Sequence, residues 1–406
     1  MAGTRHQRLL DITQLPTAAG REHRVVEAVE RFVHDHAGCA LDRDDAGNLT
    51  LSIHDADRSR PPVYLTAHLD HPAFVVERVI ADEVVELAFR GGVMADYFPG
   101  ARVAIQTGDR PVLGTVTHET DASSESPFKH YECELDEPRQ PEAGDVAMWA
   151  FPPAEVTRTP PEPDGAALDH IAPDAGDLLA TNACDDLSAV AAALDTLKRV
   201  LAADEPRPDL RLLFTLAEEV GFVGAIGACR LGTIPDSARV LALENSRAFP
   251  DAPIGGGPIV RVGDRLSIFN PDLTAQVAAV AEQVAGGPAT PTASQKRSDA
   301  PAWKWQRKLM AGGACEATVF TAFGLDATCV CLPLGNYHNM ADLARVQAGT
   351  NDSPPTVARE YIALRDYDAL VDLLAACATR LGSDDAPAPI TERLDKLWNE
   401  RRFVLG

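Results

Sequence analysis

Four apolar runs constrain this chain more than anything else in it. Val63–Ala67, Leu210–Leu216, Ala238–Leu243 and Ala327–Leu332 are near-continuous in apolar residues, the pattern of strands buried on both faces. Leu49–Ile53 alternates instead, after a Gly47-Asn48 turn. Helical stripes are interleaved with these strands. Arg24–Val33 carries Val25, Val26, Val29, Phe32 and Val33; Leu187–Ala203 carries Val190, Ala193, Leu194, Leu197 and Leu201; Pro271–Ala285 and Asp366–Leu381 read the same way. Strands that alternate with helices predict an α/β fold, a mixed sheet covered by helices.

The rhythm breaks once. From about 75 to 165 there is no long helix, and Gly91-Gly92, Pro99-Gly100, Gly108-Asp109 and Gly144-Asp145 punctuate short alternating segments. This predicts a small all-β, barrel-like insertion, closed by the Pro-rich return 152–165. The expected division is therefore a catalytic domain over 1–74 and 166–381, the insertion at 75–165, and a tail at 382–406 that ends in a short charged helix.

The chain has 406 residues and 45% apolar content, enough for a large core, and a formal charge of −23. Phosphate recognition needs Lys and Arg, so nucleic acid is excluded as a general partner. No apolar run is long enough to span a bilayer, and the first residues lack the apolar stretch of a secretory signal. The eight cysteines form no CxxC pair, which argues against zinc knuckles and disulfide frameworks; Cys329 and Cys331 are expected on one side of a buried strand. A reduced, cytoplasmic protein is expected.

In an open α/β sheet the chemistry collects beyond the carboxyl ends of the strands. After Val63–Ala67 stand His68, Asp70 and His71. After Leu210–Leu216 stand Glu218 and Glu219, and after Ala238–Leu243 stands Glu244. After Ala327–Leu332 come Asn336-Tyr337-His338-Asn339, and Asp185-Asp186 opens the helix at Leu187. Taken alone, Asp185-Asp186 is a helix cap and Glu218-Glu219 a solvated loop pair. Together they are imidazole and carboxylate gathered at one end of a sheet, the ligand set of zinc and related divalent ions.

These pieces resemble the glutamyl-aminopeptidase and tetrahedral-aminopeptidase family of dinuclear metallo-aminopeptidases. The matching blocks are Ala67-His68-Leu69-Asp70, Cys184-Asp185-Asp186-Leu187, Glu218-Glu219-Val220-Gly221, Glu244, and Pro333 to His338, over about residues 8–381. Gly312-Gly313-Ala314-Cys315-Glu316-Ala317 resembles a further element of that family. The resemblance implies a phosphorylase/hydrolase-like zinc-peptidase fold and two divalent ions per chain, zinc with cobalt or manganese as alternatives. It assigns His68 and Glu244 to one ion, Glu219 and His338 to the other, and Asp185 to both. Asp70 would hold His68 by its other ring nitrogen, and Glu218 would be the general base that activates a metal-held water. It also implies a homo-oligomer, a dimer or an assembly of dimers, with the insertion making contacts.

The chain departs from the family pattern where Glu244 replaces Asp, where Leu187 and Asn336 replace Arg, and where His71 replaces Glu. His71 reads as a residue lining the pocket. The function expected is removal of N-terminal residues from peptides. A dizinc carboxypeptidase or amide deacylase is the alternative, and a non-catalytic metal-binding assembly protein a more distant one. Lys296, Arg297, Lys304, Arg307 and Lys308 around Trp303 and Trp305 form either a carboxylate-recognising segment or, the favoured reading, a solvated loop whose tryptophans pack on a neighbour.

Overall fold

The computed structural model describes residues 6–405 apart from 109, 121–125, 140, 162–169, 204–205, 291–302, 382 and 384–385. Lys296 and Arg297 lie outside these described residues.

An eight-stranded sheet organises the chain. Its order is Cys39–Arg43, Leu49–Ile53, Leu210–Thr215, Val63–His68, Arg239–Arg247, Asp326–Leu334, Ile259–Asp264, Gln306–Met310. The four apolar runs are its four central strands and are mutually parallel. Leu49–Ile53 and Ile259–Asp264 flank them antiparallel. Successive residues of a strand face opposite sides of a sheet, and both sides here are apolar. Leu65, Leu212, Leu241 and Val330 pack under the helices Leu187–Leu201, Pro271–Ala285 and Leu364–Arg380. Tyr64, Leu213, Val240, Cys329 and Cys331 pack under Val223–Leu231 and Glu316–Ala322. The two cysteines therefore share one side, as their spacing requires.

The helix Val223–Leu231 escaped sequence reading because glycine twice interrupts its pattern. A Cβ on Gly224 would come within 2.5 Å of the Leu216 backbone, and one on Gly227 within 2.7 Å of Ala46. Glycine here allows close approach at the expense of helix propensity. The last two strands of the sheet, Ile259–Asp264 and the edge strand Gln306–Met310, are not evident in the sequence either. Gln306–Met310 is mostly polar.

The six strands Ala73–Ala81, Val84–Arg90, Lys129–Leu135, Val112–Thr120, Arg102–Ile105 and Val146–Trp149 close into a barrel. Its interior is aromatic: Phe98 stacks on Tyr131 at 4.2 Å, and Phe74 meets Trp149 edge-on at 4.9 Å. Such pairs add about 0.5–1.5 kcal/mol each beyond the burial of their area. The first barrel strand begins only five residues after His68. The chain returns through a three-stranded sheet of Glu155–Thr157, Leu178–Thr181 and Glu360–Ala363.

In the basic segment, buried Trp305 donates its indole N–H to the Gly287 carbonyl at 2.9 Å. Lys304 pairs with Asp174 and Lys308 with Asp251. The described part of that segment is thus tryptophans packed on a neighbour with their lysines paired outward. Among the described residues no helix is long and apolar enough to cross a membrane.

Candidate metal centre

The parallel central strands deliver their last residues to one place. His68 ends its strand, and its neighbour Leu69 donates its backbone N–H to Thr215 at 2.9 Å, so the two adjacent strand ends stay in register. The Asp70 carboxylate accepts from the Glu218 and Glu219 N–H groups, both at 3.0 Å. His68 Nδ1 lies 3.1 Å from the Asp70 carbonyl and 3.5 Å from its carboxylate. The ring is therefore held mainly by the Asp70 backbone, while the carboxylate clamps the Glu218-Glu219 turn. The ring turns its Nε2 to Asp185 Oδ1 at 3.4 Å, Glu218 Oε2 at 3.9 Å and Glu244 Oε1 at 4.0 Å.

His338 meets the same cluster from the other side. Its Nε2 is 3.5 Å from Asp185 Oδ2 and 3.4 Å from Glu219 Oε1. Its Nδ1 lies 2.7 Å from the carbonyl of Gly92, two residues past the barrel strand Val84–Arg90. Asp185 thus stands between the two imidazoles, one carboxylate oxygen toward each. The His, Asp and Glu ligand atoms form three overlapping groups: His68 with Asp185, Asp186 and Glu244; His68 with Glu218 and Glu219; and Asp185 with Glu219 and His338. Within each group the atoms lie within 4.8 Å of one another. All seven sequence-derived candidates, including Asp70, are gathered here. Asp186 joins them, although its Oδ1 is occupied by the Asn245 amide at 2.8 Å. His71 does not join: its ring nitrogens meet the Asp185 carbonyl and, at 3.0 Å, the Asn339 side chain.

The electrostatics are those of an uncompensated acidic cluster. Burial, with Asp185 next in importance, holds the Glu219 and Glu244 carboxyls well above the usual range. Burial likewise raises Glu218. Burial alone would lower His68, but Glu218, Asp185 and Asp70 together drive it well above the ordinary imidazole value. Asp185 moves the other way, because the two imidazoles outweigh its desolvation and pull it below the usual carboxylate range. His68 Nε2, Asp185 Oδ1, Asp186 Oδ2 and Glu219 Oε1 are all buried without a hydrogen-bond partner. Such atoms cost free energy unless something satisfies them. Nitrogen and carboxylate donors converging with their lone pairs unused fit divalent ions of the zinc type.

Two supports were invisible in the sequence. Glu360 is fully buried, and it accepts from the Cys184 and Asp185 N–H groups at 2.6 and 3.0 Å and from the His338 N–H at 2.9 Å. Glu22 accepts from the Gly20 and Ala217 N–H groups at 2.7 and 3.0 Å. Ala217, Asn336, His338 and Asn339 all sit at positive φ, between 53° and 63°. Non-glycine residues pay about 1–3 kcal/mol each for this conformation, and carboxylates bonded to the neighbouring backbone help to hold it. Only a lone Glu at the head of an apolar strand, and another before a helix, hinted at these roles. Asp185-Asp186 is a cis peptide.

A cavity of about 290 Å³ opens beside Glu244, lined among others by Arg247, Phe249, Arg261, Met310 and Tyr337. Arg261 is buried, lies 4.0 Å from Glu244 and leaves its Nε without a partner.

The α/β core, the inserted barrel and the buried His/Asp/Glu cluster define a peptide hydrolase of the metal-dependent class. Residues 169–349 match the family model for M42 glutamyl aminopeptidase, which shows the resemblance read from the motifs. No curated protein sequence matches the chain. Solved structures share the fold at low identity. A TET aminopeptidase from a marine-sediment Thaumarchaeota archaeon has a TM-score of 0.67 at 17% identity, with 93% of this chain and 97% of that one covered. The TET1 peptidase of Pyrococcus horikoshii, described as assembling into a tetrahedron or a large octahedral shell, has a TM-score of 0.65 at 17% identity, with 92% and 98% covered. An M18-family aminopeptidase from Thermotoga maritima has a TM-score of 0.57 at 13% identity, with 92% and 95% covered.

Proposed function

We propose that this protein removes N-terminal residues from peptides, using two divalent ions held by His68, Asp185, Glu219, Glu244 and His338. The observation that carries the reading is the pair of imidazoles facing opposite oxygens of one buried carboxylate, with unpartnered ligand atoms around it. Asp185 would serve both ions, His68 and Glu244 one, Glu219 and His338 the other. Zinc suits this donor set, and cobalt and manganese suit it less specifically. When bound, such ions polarise a carbonyl and lower the pKa of water toward neutrality.

Glu218 acts as the proton carrier. Its backbone is pinned by Asp70, its carboxylate lies 3.9 Å from His68 Nε2, and burial raises its proton affinity. A base tuned upward in this way accepts a proton from the attacking water and releases it to the departing amine. Asp70 keeps both glutamates on the correct side of the turn. The cavity beside Glu244 receives the first side chain of the substrate, and Arg247 and Arg261 in its lining favour an acidic or polar one. A homo-oligomer in which the inserted barrel makes contacts accompanies this reading, as does a peptide, rather than nucleic-acid or membrane, partner.

The test is metal analysis joined to a substrate screen with zinc, cobalt and manganese. The reading expects two ions per chain and hydrolysis of free aminoacyl substrates, glutamyl faster than lysyl. Hydrolysis of N-blocked substrates alone would move the assignment to a deacylase or carboxypeptidase. A fully loaded but inert protein would leave an assembly role.

A further inference from the structure

The inserted barrel carries a polar group that peptide hydrolysis at the sheet ends does not use. Successive residues of a strand face opposite sides of its sheet. Val85, Leu87 and Phe89 on one barrel strand, and Tyr131 and Cys133 on its neighbour, belong to the barrel core. Glu86 and His130 therefore fall on the outer face. Charged residues on such a face are ordinarily solvated, but Glu86 is only 5% exposed and His130 only 3%. Strand pairing sets Glu86 opposite Arg78, and His130 opposite Ala88 and Thr120. Glu86 and His130 are thus diagonal neighbours across one strand pair, within reach of each other.

Their contacts form one line that ends at a serine. His130 Nδ1 lies 3.2 Å from Glu86 Oε1, and its Nε2 lies 2.8 Å from Ser126 Oγ. Glu86 also accepts from the Thr120 hydroxyl at 3.2 Å and from the Arg78 guanidinium. Burial alone would raise the Glu86 carboxyl, but Arg78, His130 and Thr120 together hold it below the usual carboxylate range. A carboxylate only accepts, so the proton on this side of the ring sits on Nδ1. Neutral His130 then offers a lone pair at Nε2, and the Ser126 hydroxyl is the donor to it. The Phe128 N–H donates to the same Ser126 oxygen at 3.3 Å. Ser126 is half-buried, whereas Glu86 and His130 are closed off behind it. The hydroxyl is the end of the line that a reagent meets.

We infer that Ser126 is an activated nucleophile that takes an acyl group from an activated ester or thioester, with His130 as its base and Glu86 orienting the imidazole. Hydroxyl, imidazole and carboxylate in this order are the parts of nucleophilic acyl transfer, which is recognised by geometry and not by position in a fold. Ser126 Oγ attacks the acyl carbon, and its proton passes to His130 Nε2. The bond from that carbon to the leaving oxygen or sulfur breaks, and the leaving group departs with the proton from His130. A water then gives a proton to His130 and attacks the acyl-serine. The carboxylic acid leaves, and Ser126 Oγ recovers the proton. Glu86 balances the charge of the imidazolium in both halves. The Phe128 N–H is bonded to the attacking oxygen itself and is not free to hold a carbonyl oxygen. A donor aimed at that oxygen is worth about 10²–10³-fold, so the site suits esters with good leaving groups and not peptide bonds.

The experiment treats the full chain with diisopropyl fluorophosphate and, separately, with p-nitrophenyl acetate. The first reagent forms an O–P bond to serine as its P–F bond breaks, and fluoride leaves with the serine proton through His130. Peptide mapping by mass spectrometry should find the adduct on Ser126, and p-nitrophenyl acetate should give a burst of about one nitrophenolate per chain, the mark of an acyl-enzyme. Ser126→Ala should abolish label and burst while peptidase turnover and thermal melting stay as in the wild type. His130→Gln and Glu86→Gln should each slow labelling about 10²–10⁴-fold, the usual worth of an assisting base. Circular dichroism melting checks every variant, and Glu86→Gln, which keeps the shape of the side chain, carries the test if His130→Gln does not fold. No adduct on Ser126 overturns the inference. Labelling as fast in the glutamine variants as in the wild type overturns it too, because the network would then only cover the barrel. A burst that survives in Ser126→Ala belongs to another site and overturns it as well. The adduct is read on the barrel, so a failed peptidase assignment would leave this test intact.

Discussion

The inserted barrel and the sheet-end cluster are both buried, yet they are built on opposite terms. The barrel interior is filled by its own rings: Phe74, Phe89, Phe98, Tyr131 and Trp149 pack on one another, with the Trp149 indole N–H the one polar atom of these rings that lacks a partner among the described residues. The cluster is buried as deeply but holds ligand atoms that have no hydrogen-bond partner among the described residues. Burial by itself therefore does not mark a stabilising core. What separates the two is whether the side chains need a guest. The barrel is packed by aromatic rings, and the cluster gathers ligand atoms that could hold a metal ion.

The largest effect expected from breaking this contrast is at Asp185. Asp185→Ala removes the one carboxylate that faces both imidazoles, and should lose both ions and all peptidase activity, as metal analysis of the purified variant would show. Retention of two tightly held ions would transfer the role to Asp186.

Glu218→Gln comes next. It preserves shape and should leave metal content intact while turnover falls about 10²–10⁴-fold, the usual cost of losing a general base. Single-turnover kinetics beside metal analysis checks it, with Glu219→Gln as the partner variant that should instead weaken one ion. Near-normal turnover in Glu218→Gln would exchange the two roles.

On the barrel side, Phe98→Ala should cost about 3–5 kcal/mol of stability but leave metal content unchanged. Denaturant unfolding and metal analysis on the same sample would show whether the two regions are as separable as their chemistry suggests.

The last test, small at any one pH step, concerns a buried acid that is not part of the cluster. Burial raises Asp366 to about 7 even though it accepts from the Gly255 and Gly257 N–H groups at 2.6 and 2.8 Å. A carboxyl raised on folding stabilises the protein fully below its unfolded value, and that contribution fades as pH rises through the folded value. Between about pH 4 and 7 the wild type should therefore lose stability relative to Asp366→Asn, at up to about 1.4 kcal/mol per pH unit. Parallel melting-temperature curves for the two proteins would remove the assignment.

The legible parts of this molecule were those where one physical demand dominates. A strand buried on both faces must be apolar, so the four central strands stood out, and the acids and histidines at their ends stood out against them. The helix Pro271–Ala285 was readable to the residue because Asn270 caps it, with its side chain accepting from Leu273, and a glycine ends it. The illegible parts served two demands at once. Val223–Leu231 trades helix propensity for contact with Leu216 and Ala46. Glu360 and Glu22 look in sequence like strand and helix boundaries, and only the fold brings them to distant backbone N–H groups. Asp70 was expected to hold His68 with its side chain; its carboxylate does stand 3.5 Å from His68 Nδ1, beside the closer Asp70 carbonyl, and it also clamps the neighbouring turn.

Glu360 has a further consequence. One of its oxygens holds Cys184 and Asp185, the other His338, so two segments more than 150 residues apart in sequence hang from a single carboxylate. Their separation is fixed by the width of that group and is not left to the loops on either side. Any ion that Asp185 and His338 came to share would meet a spacing set by this one buried glutamate.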